Sequence, residues 1–252
     1  MKMQDIFDRL NEFAPVSTAM EYDNPGFLVG NPDDEVTGIL AALDCTPDVI
    51  AEAVTRRANL IVTHHPVIFK PLSKIVAGTL DGDRVRALVS AGISVISMHT
   101  NLDRAAGGVN DCMADRLSLR NVRLLPGGEG MGRMGELPAP METDAFLNHV
   151  KASLDVETVR VTRVEGRVLT VAVGGGSCAD FLNAAHAAGC DAFVTAEVKH
   201  KQFIEAAHLG LLLVDATHYG TENVVVRPLA DRLRAMYPGV SVAETVNPVR
   251  FF

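Results

Sequence analysis

Asn59-Leu60-Ile61-Val62-Thr63-His64-His65-Pro66 joins a short apolar run to two adjacent imidazoles and a proline. Residues 60–62 read as a buried strand that the proline brings to an end. Successive side chains on a strand point to opposite faces. In regular geometry neighbouring histidines therefore cannot easily chelate one ion, but a turn of the backbone lets each address one of two. Such a pair needs further ligands from elsewhere in the chain.

Strand-like and helix-like segments alternate outward from this stretch. Strands are expected over 36–43, 60–62, 93–97, 168–173, 192–195 and 211–214. Helices are expected over 47–58 (with Thr46 as cap), 81–91, 108–117, 179–188, 198–209 and 222–236. This alternation indicates an α/β architecture with parallel or mixed sheets flanked by helices. The two halves are also weakly alike: residues 91–100 align with 209–218, and 61–65 with 193–197. Each half then contains strand, polar tip, helix, strand, polar tip, so tips of both could converge on a shared cleft beyond the carboxyl ends of strands. The glycine-rich run from Leu125 to Gly135 reads as a hinge or loop closing the first half. The expected lobes are 1–126 and 127–252, packed without an inserted domain.

The chain has 252 residues, 48% hydrophobic and 21% charged, which suits a soluble globular protein able to bury a substantial core. Its longest apolar runs are strand-sized, far short of a membrane span. Charges throughout residues 1–10 do not suit a signal peptide, so a cytoplasmic location is expected. A net charge of −8 argues against nucleic-acid binding, which needs clustered Lys and Arg. It does not exclude anionic small molecules, because bound cations invert the local field. Cys45, Cys112, Cys178 and Cys190 form no CxxC pair and read as reduced, mostly buried thiols.

Four strand tips collect the reactive side chains: His64-His65, His99 to Asp103, Glu197 to His200, and Asp215 to Glu222. If a helix begins near Gly220, His218 and Glu222 lie one turn apart and point the same way. His64, His65, Asp103, His218 and Glu222 together exceed a four-coordinate zinc site and suit two ions sharing a carboxylate. His149, His186 and His208 fall inside helical stretches and read as ordinary surface or core residues, while His200 is a cleft candidate. Gly130-Met-Gly-Arg-Met-Gly135 fits GxGxxG but no helix follows, which excludes a dinucleotide fingerprint. Gly174-Gly-Gly-Ser177 follows a strand and precedes a helix; it could cradle an anion through its amides or simply form a tight turn.

Tyr22-Asp-Asn-Pro-Gly26, Thr63-His-His-Pro66, His99-Thr-Asn-Leu-Asp103, Gly132-Arg-Met-Gly-Glu136, Gly174-Gly-Gly-Ser177 and Thr217-His-Tyr-Gly-Thr-Glu222 occur in the order seen in the Nif-three-like proteins, which this chain resembles over its whole length. Those proteins are often labelled GTP cyclohydrolase I type 2 homologues. The resemblance implies two similar α/β lobes, a two-metal centre in the cleft between them, and a ring-shaped homohexamer built as a trimer of dimers. By motif, His64, His65, Asp103, His218 and Glu222 would be the metal ligands, with His99 as a further ligand or proton carrier. Tyr22 stands where the family often has tryptophan, and Ala196 where glycine is usual before an acidic residue.

The expectation is a two-metal hydrolase in which a metal-activated water attacks an electrophilic carbon or phosphorus of a small molecule, with a nucleotide as first candidate. In a cyclohydrolase that carbon is the purine carbon lost as formate. Glu197 or His200 would be the general acid or base. The two ions are zinc, manganese or iron, all of which suit histidine and carboxylate. The alternative is a non-catalytic regulatory or scaffold protein that uses the same ligands.

Overall fold

The computed structural model describes residues 1–243 and 247–249. The chain opens with α1 (Met3–Phe13), β1 (Gly26–Val29), β2 (Ile39–Ala42), α2 (Pro47–Thr55), β3 (Leu60–Thr63), α3 (Leu80–Ala91), β4 (Ser94–Ser97) and α4 (Thr100–Arg104). Every residue of β2, β3 and β4 is buried, as continuous apolar runs require of parallel strands covered on both faces. β2, β3 and β4 are parallel neighbours, and β1 joins β4 antiparallel at the edge. Thr46 caps α2 by accepting from the Val49 amide (3.2 Å), with Pro47 in the first turn.

The second series is α5 (Val109–Arg116), β5 (Arg120–Leu124), β6 (Arg133–Glu142), α6 (Thr143–Leu154), β7 (Arg160–Val161), β8 (Arg167–Val173), α7 (Leu182–Ala187), β9 (Ala192–Thr195), α8 (His200–Leu209), β10 (Leu212–Asp215) and α9 (His218–Glu222). Its sheet has the order β5-β6-β8-β9-β10-β7, with β8, β9 and β10 parallel. The chain then enters α10 (Val226–Met236) and β11 (Val240–Val242), which pairs with β2 and gives the first sheet the order β1-β4-β3-β2-β11.

The expected duplication is visible in the pairing. In each sheet the central parallel strands are flanked on one side by an antiparallel edge strand, β1 on β4 and β7 on β10. α3 and α8 both end on a left-handed glycine, Gly92 (φ 65°) and Gly210 (φ 70°), aligned in the sequence repeat. Met98 N donates to Thr63 O, and its counterpart Ala216 N to Thr195 O, at 2.8 Å in both cases.

Three expectations need correction. The boundary does not fall at 126/127: among the described residues one unit comprises Met1–Ala105 with 226–243, and the other Ala106–Val225 with 247–249. The reason is pairing and packing, since β5 hydrogen-bonds to β6 and Met113 and Ala114 of α5 lie in the second core. The helix expected over 222–236 is interrupted by a 3-10 stretch at Asn223–Val225. Pro228 lies in the first turn of α10, where it is tolerated; in a helix continuous from His218 it would lose a hydrogen bond and clash with the Val224 carbonyl. The glycine-rich run is not loop throughout, because β6 begins at Arg133 and continues past Pro138 and Pro140 through an irregular register.

Phe146 of α6 is fully buried in the second core, among residues such as Val150, Val171 and Leu212. Phe146→Ala is expected to cost about 3–5 kcal/mol, measured by urea denaturation. A loss below about 1 kcal/mol would show that this cluster does not carry the unit.

Candidate metal centre

In the first unit, β3 stops at Thr63, one residue before the histidine pair. The Thr63 hydroxyl donates to His65 O (2.8 Å) and lies 2.8 Å from the Ser97 hydroxyl at the tip of β4. His65 N donates to Leu43 O (3.0 Å) beyond β2. The backbone therefore leaves strand geometry, and the two imidazoles do not diverge to opposite faces. Their ring centroids are 5.0 Å apart, and His99 lies 5.2 and 5.7 Å from them. One donor atom from each of the three lies within 4.8 Å of the others.

All three rings are held through the same nitrogen. His64 Nδ1 lies 2.8 Å from Met98 O, His65 Nδ1 2.7 Å from Asp44 Oδ1, and His99 Nδ1 2.7 Å from Asp23 Oδ1. A carbonyl only accepts, so the proton of neutral His64 sits on Nδ1 and its lone pair on Nε2. The carboxylates of Asp44 and Asp23 favour the same tautomer in the other two rings. Burial by itself would raise the pKa of Asp23, but hydrogen bonds from His99 and Thr100 outweigh it and bring the carboxyl down to about 2. Asp103, on α4, places Oδ1 3.6 Å from His64 Nε2.

In the second unit, Thr217 caps α9: its hydroxyl accepts from the Gly220 amide at 3.1 Å, and its own φ is 66°. One turn separates His218 from Glu222, as expected, with His218 Nε2 2.9 Å from Glu222 Oε2. His218 Nδ1 lies 3.3 Å from Glu197 Oε1. Each ring nitrogen thus faces a carboxyl oxygen, and a neutral imidazole can donate to only one of them. Asp215, at the end of β10, ties the two tips together. It accepts from Val198 N and Thr217 N (both 3.1 Å) and pairs with Arg160.

The glycine turn after β8 belongs to this site in a way the sequence did not show. A Cβ on Gly176 (φ 60°) would stand 2.0 Å from Glu222 Oε1 and 3.3 Å from His218 Nε2. Gly174 N bonds Val194 O, Gly175 N bonds Asn110 Oδ1, and Gly176 N bonds Thr221 Oγ1. These three amides are taken by protein partners, which favours the tight turn over the anion cradle, and Gly176 leaves room for the Glu222 carboxylate.

His64, His65, His99 and Asp103 thus come together in one unit, and Glu197, His218 and Glu222 in the other. His200 is exposed at the start of α8 and outside both groups. His186 and His208 are exposed on helices, and His149 Nε2 bonds Leu117 O (3.0 Å), as expected of ordinary histidines. None of the four cysteines is in a disulfide, and three of them are buried; burial pushes the thiol of Cys45 up to about 12 and that of Cys190 to about 11. A cavity of about 440 Å³ in the second unit is lined by Val159, Arg160, Glu197, His218, Tyr219 and Val249. No helix among the described residues is long and apolar enough to cross a membrane.

The model of the Duf34/NIF3 (NGG1p interacting factor 3) family matches residues 1–248. The chain is 34% identical over 235 residues to the GTP cyclohydrolase 1 type 2 homolog of Clostridium acetobutylicum, covering 90% of this chain and 88% of that protein. It is 36% identical over 233 residues to the homolog so named in Streptomyces coelicolor, covering 88% and 81%. Among solved structures, a hypothetical protein of Staphylococcus aureus superposes with a TM-score of 0.94 at 29% identity, covering 100% of this chain and 99% of that one.

Loss of the α9 cap should be measurable. Thr217→Ala is expected to cost about 1 kcal/mol. Thr217→Gly should cost only a few tenths, since glycine also accepts the positive φ. Urea denaturation decides it, and an Ala variant no worse than the Gly variant would remove the cap from the account.

Proposed function

The chain belongs to the Duf34/NIF3 family, and from that premise we propose that it is a hydrolase dependent on two divalent metal ions. His64, His65 and Asp103 of the first unit and His218 and Glu222 of the second would hold the ions. The supporting observation is the shared mode of anchoring: three imidazoles fixed through Nδ1 keep Nε2 for a ligand. The space that Gly176 leaves beside Glu222 and His218 also fits a coordinating carboxylate. Imidazole with carboxylate suits zinc, manganese or iron.

When bound, such ions lower the pKa of a coordinated water and neutralise charge developing on the substrate. The remaining roles fall to side chains. His99, held by Asp23, is a further ligand or a proton carrier on the first unit. Glu197, exposed beside His218, can take or give a proton at the leaving group. His200, at the start of α8, is a more distant candidate for the same role. The cavity beside Glu197 and His218 has the size of a small-molecule site and would receive the body of the substrate. The names of the relatives support a nucleotide of the GTP cyclohydrolase type as first substrate to try. The family resemblance supports a homohexamer as the working assembly.

Metal analysis of the purified protein after loading with zinc, manganese or iron is expected to give two ions per subunit. His64→Ala should lose at least one. Gly176→Ala should also lose metal, because its methyl group displaces Glu222. The loaded protein is then incubated with GTP, other nucleotides and simple phosphoesters. Full metal content without turnover on any of them, in a folded protein, would overturn the hydrolase and leave a regulatory or scaffold role. Wild-type protein that takes up no divalent ion would overturn both.

A further inference from the structure

We infer that Asp23 and Asp44 are positioning residues of the metal centre, each fixing the tautomer and direction of one histidine without being a ligand. The inference rests on the metal-centre reading above. Asp44 holds His65 Nδ1 at 2.7 Å, and Asp23 holds His99 Nδ1 at 2.7 Å. An imidazole whose Nδ1–H is donated to a carboxylate keeps its lone pair on Nε2 and becomes a more basic ligand. His64 obtains the same tautomer from a backbone carbonyl. The two carboxylates therefore complete a pattern shared by all three rings.

The two aspartates are not equivalent. The Asp44 side chain is 43% exposed, just past the end of β2. The Asp23 side chain is fully buried. A buried carboxylate is costly unless it is well hydrogen-bonded, and Asp23 also accepts from the Thr100 amide (3.0 Å) and the Thr100 hydroxyl. That hydroxyl in turn accepts from Met20 N (2.9 Å). Thr100 begins α4, and Asp103 follows on the same short helix. Asp23 thereby fixes both the His99 ring and the start of the helix that presents Asp103, while Asp44 holds the His65 ring from a half-exposed position.

Three measurements on the full-length protein test this: Zn²⁺ affinity by competition with a chromogenic chelator, the visible spectrum of the Co²⁺-loaded form, and the melting temperature in EDTA. Asp44→Ala is expected to weaken Zn²⁺ binding about 10- to 100-fold and to alter the Co²⁺ spectrum. Its melting temperature in EDTA should stay at the wild-type value, which a merely structural role would not allow. Asp44→Asn keeps an acceptor oxygen and should recover part of the loss. Asp23→Asn should lose more affinity than Asp44→Asn. If the wild type binds Zn²⁺ and Asp44→Ala binds it equally with an unchanged Co²⁺ spectrum, the positioning role is wrong while the metal centre stands. If the wild type binds neither ion, the metal centre fails and the inference with it.

Discussion

Three imidazoles can share one corner of a protein only if each has a place for its proton. Water cannot provide it for His64, which is fully buried, and an unpaired N–H there would cost the full desolvation of that group. The Met98 carbonyl and the carboxylates of Asp44 and Asp23 provide it instead, always at Nδ1. Once those three bonds exist, the remaining nitrogens are acceptors held in a small volume, and a cation becomes their natural complement. The local backbone serves this arrangement: β3 ends at Thr63, its hydroxyl ties His65 O, and the strand alternation that would separate adjacent histidines is broken where they begin.

The second unit meets a related demand with a different device. There a histidine faces carboxylates at both nitrogens, and the Glu222 carboxylate is accommodated because Gly176 has no side chain. Asp215 holds the backbone of both tips, a task shared in the first unit by the hydroxyls of Thr63 and Ser97. The same parallel-strand frame, with the same hydrogen bond between aligned tips (Met98 to Thr63, Ala216 to Thr195), thus carries two chemically distinct sets of side chains. Duplication explains the frame, and divergence at the tips explains the chemistry.

Much of the frame was legible because its signals are local. The apolar runs at 60–62, 93–97 and 192–195 are strands, and Thr46 caps its helix by the expected bond. Other elements were not legible for equally physical reasons. β5 has all five residues exposed, with no apolar alternation to mark it. β6 contains two prolines, which argue against a strand until a register irregularity is there to receive them. The division between the units was not legible either: α5 and β5 pack with the second unit, and β11 returns to pair with β2, with nothing at 226–243 to announce that return. Within the site, His218 and Glu222 were legible from helical spacing. Asp23 and Asp44 were not, since a carboxylate that holds an imidazole carries no spacing rule of its own.

By itself, then, the sequence determined the α/β class, the parallel-strand cores and the identity of the histidines and carboxylates gathered at strand tips. These follow from side-chain hydrophobicity, helix spacing and the place where each apolar run ends. Only the tertiary structure decided which nitrogen of each imidazole is held, which carboxylate holds it, and that the glycine turn makes room for Glu222. Those outcomes depend on hydrogen bonds between residues as distant as His99 and Asp23 or Gly176 and Thr221. Such bonds form only after packing has removed water and left each polar group to find its partner inside the protein.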